Sequence, residues 1–185
     1  MLEAGNRNPL PTSEAKPMDV TAAPHFSARD FRNALGNFAT GIAIVTTRDA
    51  DGQPVGCTIN SFASVSLEPP LISFCLDRKA GTFTAFQTHS HFALHFLAAN
   101  QEELSRRFAK AGEDRFGDLQ PIRGLGDVPV LPGCLAHFEC SVFDRIDAGD
   151  HVLILGQVEK LQTGSDLPPL LYFRGRYAHL TPESD

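Results

Sequence analysis

The sequence predicts a mainly β protein: an antiparallel barrel, closed or nearly closed, with a few helices at its periphery. Three observations carry this. Extended segments outnumber helical ones. Successive extended segments are joined by short turns, as in IAIVTT, DADGQ, PVGCTIN and again in CLAHFECSVFDRI, DAGD, HVLILGQVEKLQ. The helical segments are not interleaved with the strands, as a parallel sheet would require. Closing such a sheet on itself is one way to remove exposed edges, and no internal repeat suggests another architecture.

The elements follow in order. Residues 1–25 are rich in Pro, Ala, Ser, Thr and Asn without periodicity and are predicted to be a flexible tail or an arm on a partner subunit. Residues 26–185 form the predicted domain. Ser27 with Asp30 is a helix-start pair, and Phe31, Leu35 and Phe38 follow at helical spacing. Ile42 to Thr47 is β-branched, and with the turn residues after it makes a hairpin with PVGCTIN. Pro69 and Pro70 interrupt the chain before LISFCL, a further strand. GTFTAFQTH from Gly81 reads as a short helix, FALHFLA from Phe92 as a strand, and QEELSRRFAK from Gln101 as a helix with Leu104 and Phe108 four apart. A connection broken by Gly and Pro leads to a long second hairpin. Its first strand places Ala136, Phe138, Cys140 and Val142 on one face, and its second places Val152, Ile154 and Val158 on one face. LLYFRGRYAHL reads as a closing strand.

A chain of 185 residues closes one core without disulfides or metal. Sixteen basic against 22 acidic residues, a net charge of −6, argue against nucleic acid and anionic membrane surfaces as partners. The N-terminal stretch lacks the pattern of a signal peptide, and no apolar run is long enough for a bilayer, so a cytoplasmic protein is expected. Cys57, Cys75, Cys134 and Cys140 form no CxxC pair and read as reduced thiols.

Neither a dinucleotide GxGxxG after a strand nor a GxxxxGK[ST] loop occurs, and GxSxG is absent, which removes the commonest phosphate cradles and covalent hydrolysis. His89, His91 and His95 would share a face of one extended strand, but no fourth ligand accompanies them, and no metal is expected. Glu103 and Arg107, four apart, read as a solvated helical ion pair, although an arginine beside Phe108 also suits a phosphate or a flat ring. Gly149, Asp150 and His151 suit a turn for backbone reasons, with His151 at the barrel mouth where it can contact a bound ring. In TINSFASVSLEPPL the small polar residues Thr58, Asn60, Ser61, Ser64 and Ser66 exceed what a strand needs. Phe62, Val65 and Leu67 are expected to face the core.

In sequence order, FRNALGNFATGIAIVTT, VGCTINSFASVSLEPPLISFCL, LSRRFA, GDHVLILGQVE and PLLYFRGRY resemble the short-chain flavin reductases, the reductase components of two-component flavin-dependent aromatic monooxygenases. The resemblance runs from about Phe31 to Tyr177. It implies an FMN-binding type of split barrel, usually a homodimer, that passes hydride from NADH or NADPH to FMN or FAD. Reduced flavin then serves a partner monooxygenase.

By the same resemblance, flavin contacts fall on Pro54, Val55, Gly56, Cys57, Thr58, Asn60 and Ser61. Further ones fall on Cys75, Leu76 and Asp77, on Gly81 and Thr82, and on Arg107 with Phe108. Nicotinamide contacts fall on Tyr172, Phe173, Arg174 and Gly175, with His151 nearby, and no residue is assigned covalent catalysis. An isoalloxazine ring has apolar faces and an edge of acceptors and one donor, so small polar residues around an apolar slot suit it. Rival readings are a flavin carrier or sensor without efficient turnover, and a metal enzyme built on the three histidines.

Overall fold

In the computed structural model the described residues are 25–112, 114–164 and 166–180. The expected tail, apart from its last residue, lies outside them. Helix α1 (Ala28–Leu35) starts as predicted. The Ser27 hydroxyl oxygen accepts from the Asp30 N–H at 3.1 Å, and the Asp30 carboxylate accepts from the Ser27 N–H at 3.2 Å. Its apolar side chains stay uncovered in the single chain: Phe31 and Leu35 are 52% and 58% exposed, and Phe38 beyond them 77%.

The strands that follow are β1 (Thr40–Gly41), β2 (Ala43–Arg48), β3 (Pro54–Ile59), β4 (Ala63–Leu67) and β5 (Pro70–Asp77). Helix α2 (Phe83–Thr88), strand β6 (His91–Phe96) and helix α3 (Glu102–Ala109) come next. Two short strands, β7 (Ile122–Arg123) and β8 (Pro129–Val130), precede the long pair β9 (Ala136–Ala148) and β10 (His151–Thr163). The last strands are β11 (Leu171–Phe173) and β12 (Arg176–Ala178).

Seven strands form one antiparallel sheet in the order β3-β2-β6-β9-β10-β5-β4, curled around the main core. β2 explains why its sequence lacks polar alternation. Ala43 and Val45 enter the core cluster with Phe74, Phe92 and Ile154, while Ile44 faces a second cluster with Phe108, Leu131 and Leu170. A strand covered on both faces needs apolar residues throughout. Its two buried threonines are satisfied by side-chain bonds, Thr46 Oγ1 donating to the Pro129 carbonyl and Thr47 Oγ1 to that of His91.

Gly156 in β10 is required by the same packing: a Cβ there would lie 2.3 Å from Cζ of Phe92, a ring with no exposed surface. The long hairpin runs as expected, with Cys140, Val152 and Ile154 in the core and Phe138, Val142 and Val158 packed on it.

Three expectations change. The closing strand is a hairpin, β11 to β12, turned by Arg174 and Gly175 at φ 50° and 78°, a two-residue left-handed turn that matches strand twist. It pairs with β1 in a separate three-stranded sheet. Val65 and Leu67 face outward, 50% and 95% exposed, because β4 is the sheet's edge and a register shift between Ser64 and Ser66 breaks its alternation. Phe62 does pack inward, edge-on to Phe96 at 4.8 Å. On α3 the ion pair is Glu102 with Arg106 at 2.6 Å, the Arg106 guanidinium lying 4.5 Å over the Tyr177 ring, while Arg107 turns away to Asp118.

The three histidines do not converge. His89 caps α2, its Nδ1 bonded to main-chain atoms of His91, whereas His95 is fully buried between Ile44 and Leu131. Among the described residues no cluster suits a metal ion, and no helix is long and apolar enough to cross a membrane.

Candidate functional site

The ends of several strands converge on one cavity of about 390 Å³. β3 brings Cys57 and Thr58 to it, the link from β3 to β4 brings Asn60 and Ser61, and β5 brings Cys75, Leu76 and Asp77. The loop into α2 adds Lys79, Gly81 and Thr82, and α3 with the following loop adds Phe108, Ala109 and Arg115. His151 arrives by register, since it opens β10 directly opposite Asp77 of β5.

Two hydroxyls of the polar run have structural duties. Ser61 Oγ donates to the Cys75 carbonyl at 3.1 Å and accepts from the Cys75 N–H at 3.0 Å. The β4 ladder on that side of β5 extends only to Ser73, so Cys75 would otherwise leave main-chain groups unpaired, and one side chain substitutes for the missing strand. Thr58 Oγ1 donates to the Ser105 carbonyl at 2.7 Å, fastening α3 to β3. Both residues line the cavity, as expected of a ligand rim, and their hydroxyl protons are also committed to main-chain carbonyls.

Asn60 is different. Its side chain is exposed, and it borders this cavity, a 230 Å³ cavity with Tyr172 and Tyr177, and a 580 Å³ apolar cavity with Phe38, Phe62 and Phe96. A carboxamide offers both donors and acceptors at that junction.

Phe108 floors the polar cavity, edge-on to Phe116 at 5.1 Å. Gly56 permits this: a Cβ there would stand 2.7 Å from the Val45 carbonyl oxygen and 3.0 Å from Phe108 Cε1. Arg115 was not anticipated. Its guanidinium donates to the carbonyls of Gly56 and Lys110, and it has no carboxylate partner among the described residues. Arg107, the arginine the resemblance selects, is tied to Asp118 and does not line the cavity. Arg115 lay hidden in an aperiodic connection, where only its place in DRF, beside an aromatic just past a helix, marked it.

The remaining expected residues divide. Pro54, Val55 and Gly56 line an adjoining 290 Å³ cavity that shares Gly81, Thr82 and Arg115 with the first. Tyr172 reaches the 230 Å³ cavity. Phe173, Arg174 and Gly175 line neither, because Arg174 is turned onto α1, its Nε donating to Asn37 Oδ1 at 2.9 Å and its guanidinium lying 5.0 Å from the Phe173 ring.

Electrostatics favour neutral thiols and a fixed histidine tautomer. Burial pushes the Cys57 thiol up, against the smaller opposing effects of the neighbouring Thr82 hydroxyl and the Arg115 charge, and burial likewise raises Cys75. His151 Nδ1 lies 2.7 Å from Asp150 Oδ1. The hydrogen bond and the charge of His151 hold the Asp150 carboxyl below its usual range. A carboxylate only accepts, so Nδ1 carries the proton and Nε2 is left free to accept in the neutral ring.

Comparison with known proteins agrees with this geometry. Residues 35–181 match the flavin reductase like domain. The FMN reductase (NADH) of Agrobacterium fabrum is 43% identical over 155 residues, 84% of this chain and 87% of that protein. The reductase component of the flavin-dependent trigonelline monooxygenase of Acinetobacter baylyi is 40% identical over 149 residues, 80% of this chain and 48% of that protein, so the chain spans about half the length of that relative. An NADH:FAD oxidoreductase of Streptomyces globisporus, solved with NAD and FAD fragments, superposes with a TM-score of 0.79 at 32% identity, covering 88% of this chain and all of that one. With a mainly β antiparallel barrel, a polar-rimmed slot at its strand ends and a match over most of its length, this chain belongs to the flavin reductase like domain family.

Proposed function

We propose that the protein is an NAD(P)H:flavin oxidoreductase that reduces FMN or FAD and supplies the reduced flavin to a partner monooxygenase. The observation that carries this is the slot itself: apolar on Phe108 and Leu76, edged by the free carboxamide of Asn60, and with the Arg115 guanidinium in its lining beside Gly56 and Lys110. Such a distribution fits a flat ring with a polar edge and an anionic tail. Nicotinamide and flavin together supply hydride chemistry, which needs no protein nucleophile.

The chain's own groups bind and orient. Asn60 bonds the ring edge, and Arg115 neutralises phosphate. Phe108 excludes water from one face. His151, fixed by Asp150, borders the same slot and positions the second ring, while Tyr172 walls the space beyond Asn60. With both groups bound, these residues would contribute to rate by positioning donor against acceptor rather than by covalent chemistry.

Purified protein mixed with NADH or NADPH and with each flavin is expected to oxidise the nicotinamide. No turnover with any pair would sink the enzyme reading, and tight flavin binding without turnover would favour a carrier. Asn60→Ala should weaken flavin binding by about tenfold, the loss of roughly one good hydrogen bond. Because the side chain is exposed, stability should move by no more than about 0.5 kcal/mol; equal losses in both would remove Asn60 from the site.

The reading includes a homodimer located in the cytoplasm, with residues 26–185 as its split-barrel domain and residues 1–25 as its tail. Support for the dimer is the uncovered apolar row of Phe26, Phe31, Leu35 and Phe38, larger than scattered surface residues explain. Light scattering is expected to give twice the chain mass, and a monomer at micromolar concentration would overturn this part.

A further inference from the structure

We propose that the flavin taken by this site is the dinucleotide, FAD, with its adenosine half in the adjoining 290 Å³ cavity and its diphosphate at Arg115. The inference rests on the flavin reading above and specifies which flavin. The polar slot has a neighbour at Arg115. Gly81, Thr82, Ala111 and Arg115 line both cavities, so the two adjoin at that side chain. No atom outside its chain neighbours lies within 4 Å of where a Cβ of Gly81 would be, which leaves the crossing open for a ligand chain.

Arg115 is set at this crossing by main-chain carbonyls, Nε and Nη2 on Lys110 and Nη1 on Gly56. Arg78, Arg106, Arg107 and Arg123 face carboxylates, and Arg48 and Arg145, which like Arg115 bond main-chain carbonyls, do not line either cavity. Arg115 has no carboxylate partner among the described residues. A guanidinium held in place with its charge uncompensated suits phosphate oxygens.

What lies beyond the arginine separates the two flavins. Val55, Pro54 and Phe116 give the second cavity apolar walls, and Asp114 gives it one carboxylate. Asp114 Oδ1 accepts from the N–H groups of Phe116 and Gly117, which leaves Oδ2 for further donors. A terminal monoester phosphate, nearly doubly charged, would end facing that carboxylate. In the dinucleotide each phosphate carries one charge, and a neutral ribose diol able to donate to Asp114 follows, with a flat base for the apolar wall. Complementarity at the far end therefore favours FAD.

The test is equilibrium binding of riboflavin, FMN and FAD to the whole chain at one ionic strength, followed by flavin fluorescence, with AMP as competitor. FAD is expected to bind at least tenfold more tightly than FMN, and AMP to weaken FAD binding without displacing riboflavin. Arg115→Gln is expected to erase the difference between FAD and riboflavin, riboflavin binding reporting that the slot is still folded. FMN binding as tightly as FAD, or an FAD advantage that survives both AMP and Arg115→Gln, would overturn the proposal while leaving the flavin reading intact. Failure of all three flavins to bind would overturn both.

Discussion

Phe74→Ala is expected to lower the free energy of unfolding by about 3–5 kcal/mol, the range for emptying a fully buried phenylalanine site. Phe74 has no exposed surface and meets Phe92 at 5.2 Å and Phe86 at 5.7 Å, both edge-on. Its backbone partner in β10 is Ile154, itself buried. Neither aromatic neighbour can move into the gap, since Phe92 is already wedged against Gly156 and Phe86 anchors α2.

The loss is a large part of the roughly 5–15 kcal/mol typical of a domain, so urea unfolding should shift its midpoint clearly. Strand alternation places Cys75, the next residue, on the cavity wall. A ligand that binds the folded state at 100 times its Kd should therefore restore about 2.7 kcal/mol. A change below about 1 kcal/mol would show that the core repacks and that Phe74 is not its keystone.

The second large effect is a loss of stability in mild acid traced to His95. The ring is fully buried; Nδ1 donates to the Ile44 carbonyl at 3.0 Å, and Nε2 accepts from the Leu131 N–H at 3.0 Å. Protonation would set two N–H groups against each other in the core, and burial first, then the nearby charge of His137, push the ring down to about 4, opposed by the Ile44 bond. The charged neighbourhood consists of His137, its ring 6.1 Å away, and Glu139, 3.9 Å from His137 Nε2.

With the folded value below the unfolded one of about 6.5, the unfolded chain binds the extra proton between them. Stability from this group is complete above pH 6.5. It falls by about 1.4 kcal/mol per pH unit towards pH 4, on the order of 3 kcal/mol in all. Unfolding curves from pH 8 to pH 4 should show that slope, and His95→Gln should remove it while lowering stability at pH 8. Parallel curves for the two proteins would assign the acid sensitivity elsewhere.

Much of the fold was legible because local physics governs it. The Ser27 and Asp30 cap, the β2–β3 and β9–β10 hairpins and α3 all depend on residues close in sequence, and each lies where patterning placed it. The site was legible in part. The cavity gathers most of the residues carried over from the family, from Cys57 to His151. Yet spacing alone did not say which hydroxyls were free: Thr58 and Ser61 are used by Ser105 and Cys75, 47 and 14 residues away. Nor did it say which arginine faces the slot, because Asp118 and Glu102 claim Arg107 and Arg106.

By itself, then, the sequence determined a strand-rich antiparallel barrel, its two main hairpins, a surplus of small polar groups around Asn60 and, through resemblance, membership of a flavin reductase family. Those follow from periodicity, turn chemistry and an ordered set of motifs. Only the tertiary structure decided that Val65 and Leu67 lie outside, that β11 and β12 form a separate hairpin, and that Arg115 rather than Arg107 lines the slot. These are outcomes of long-range pairing. A side chain is free to meet a ligand only when no distant backbone group or opposite charge has already satisfied it, and no local pattern records that competition.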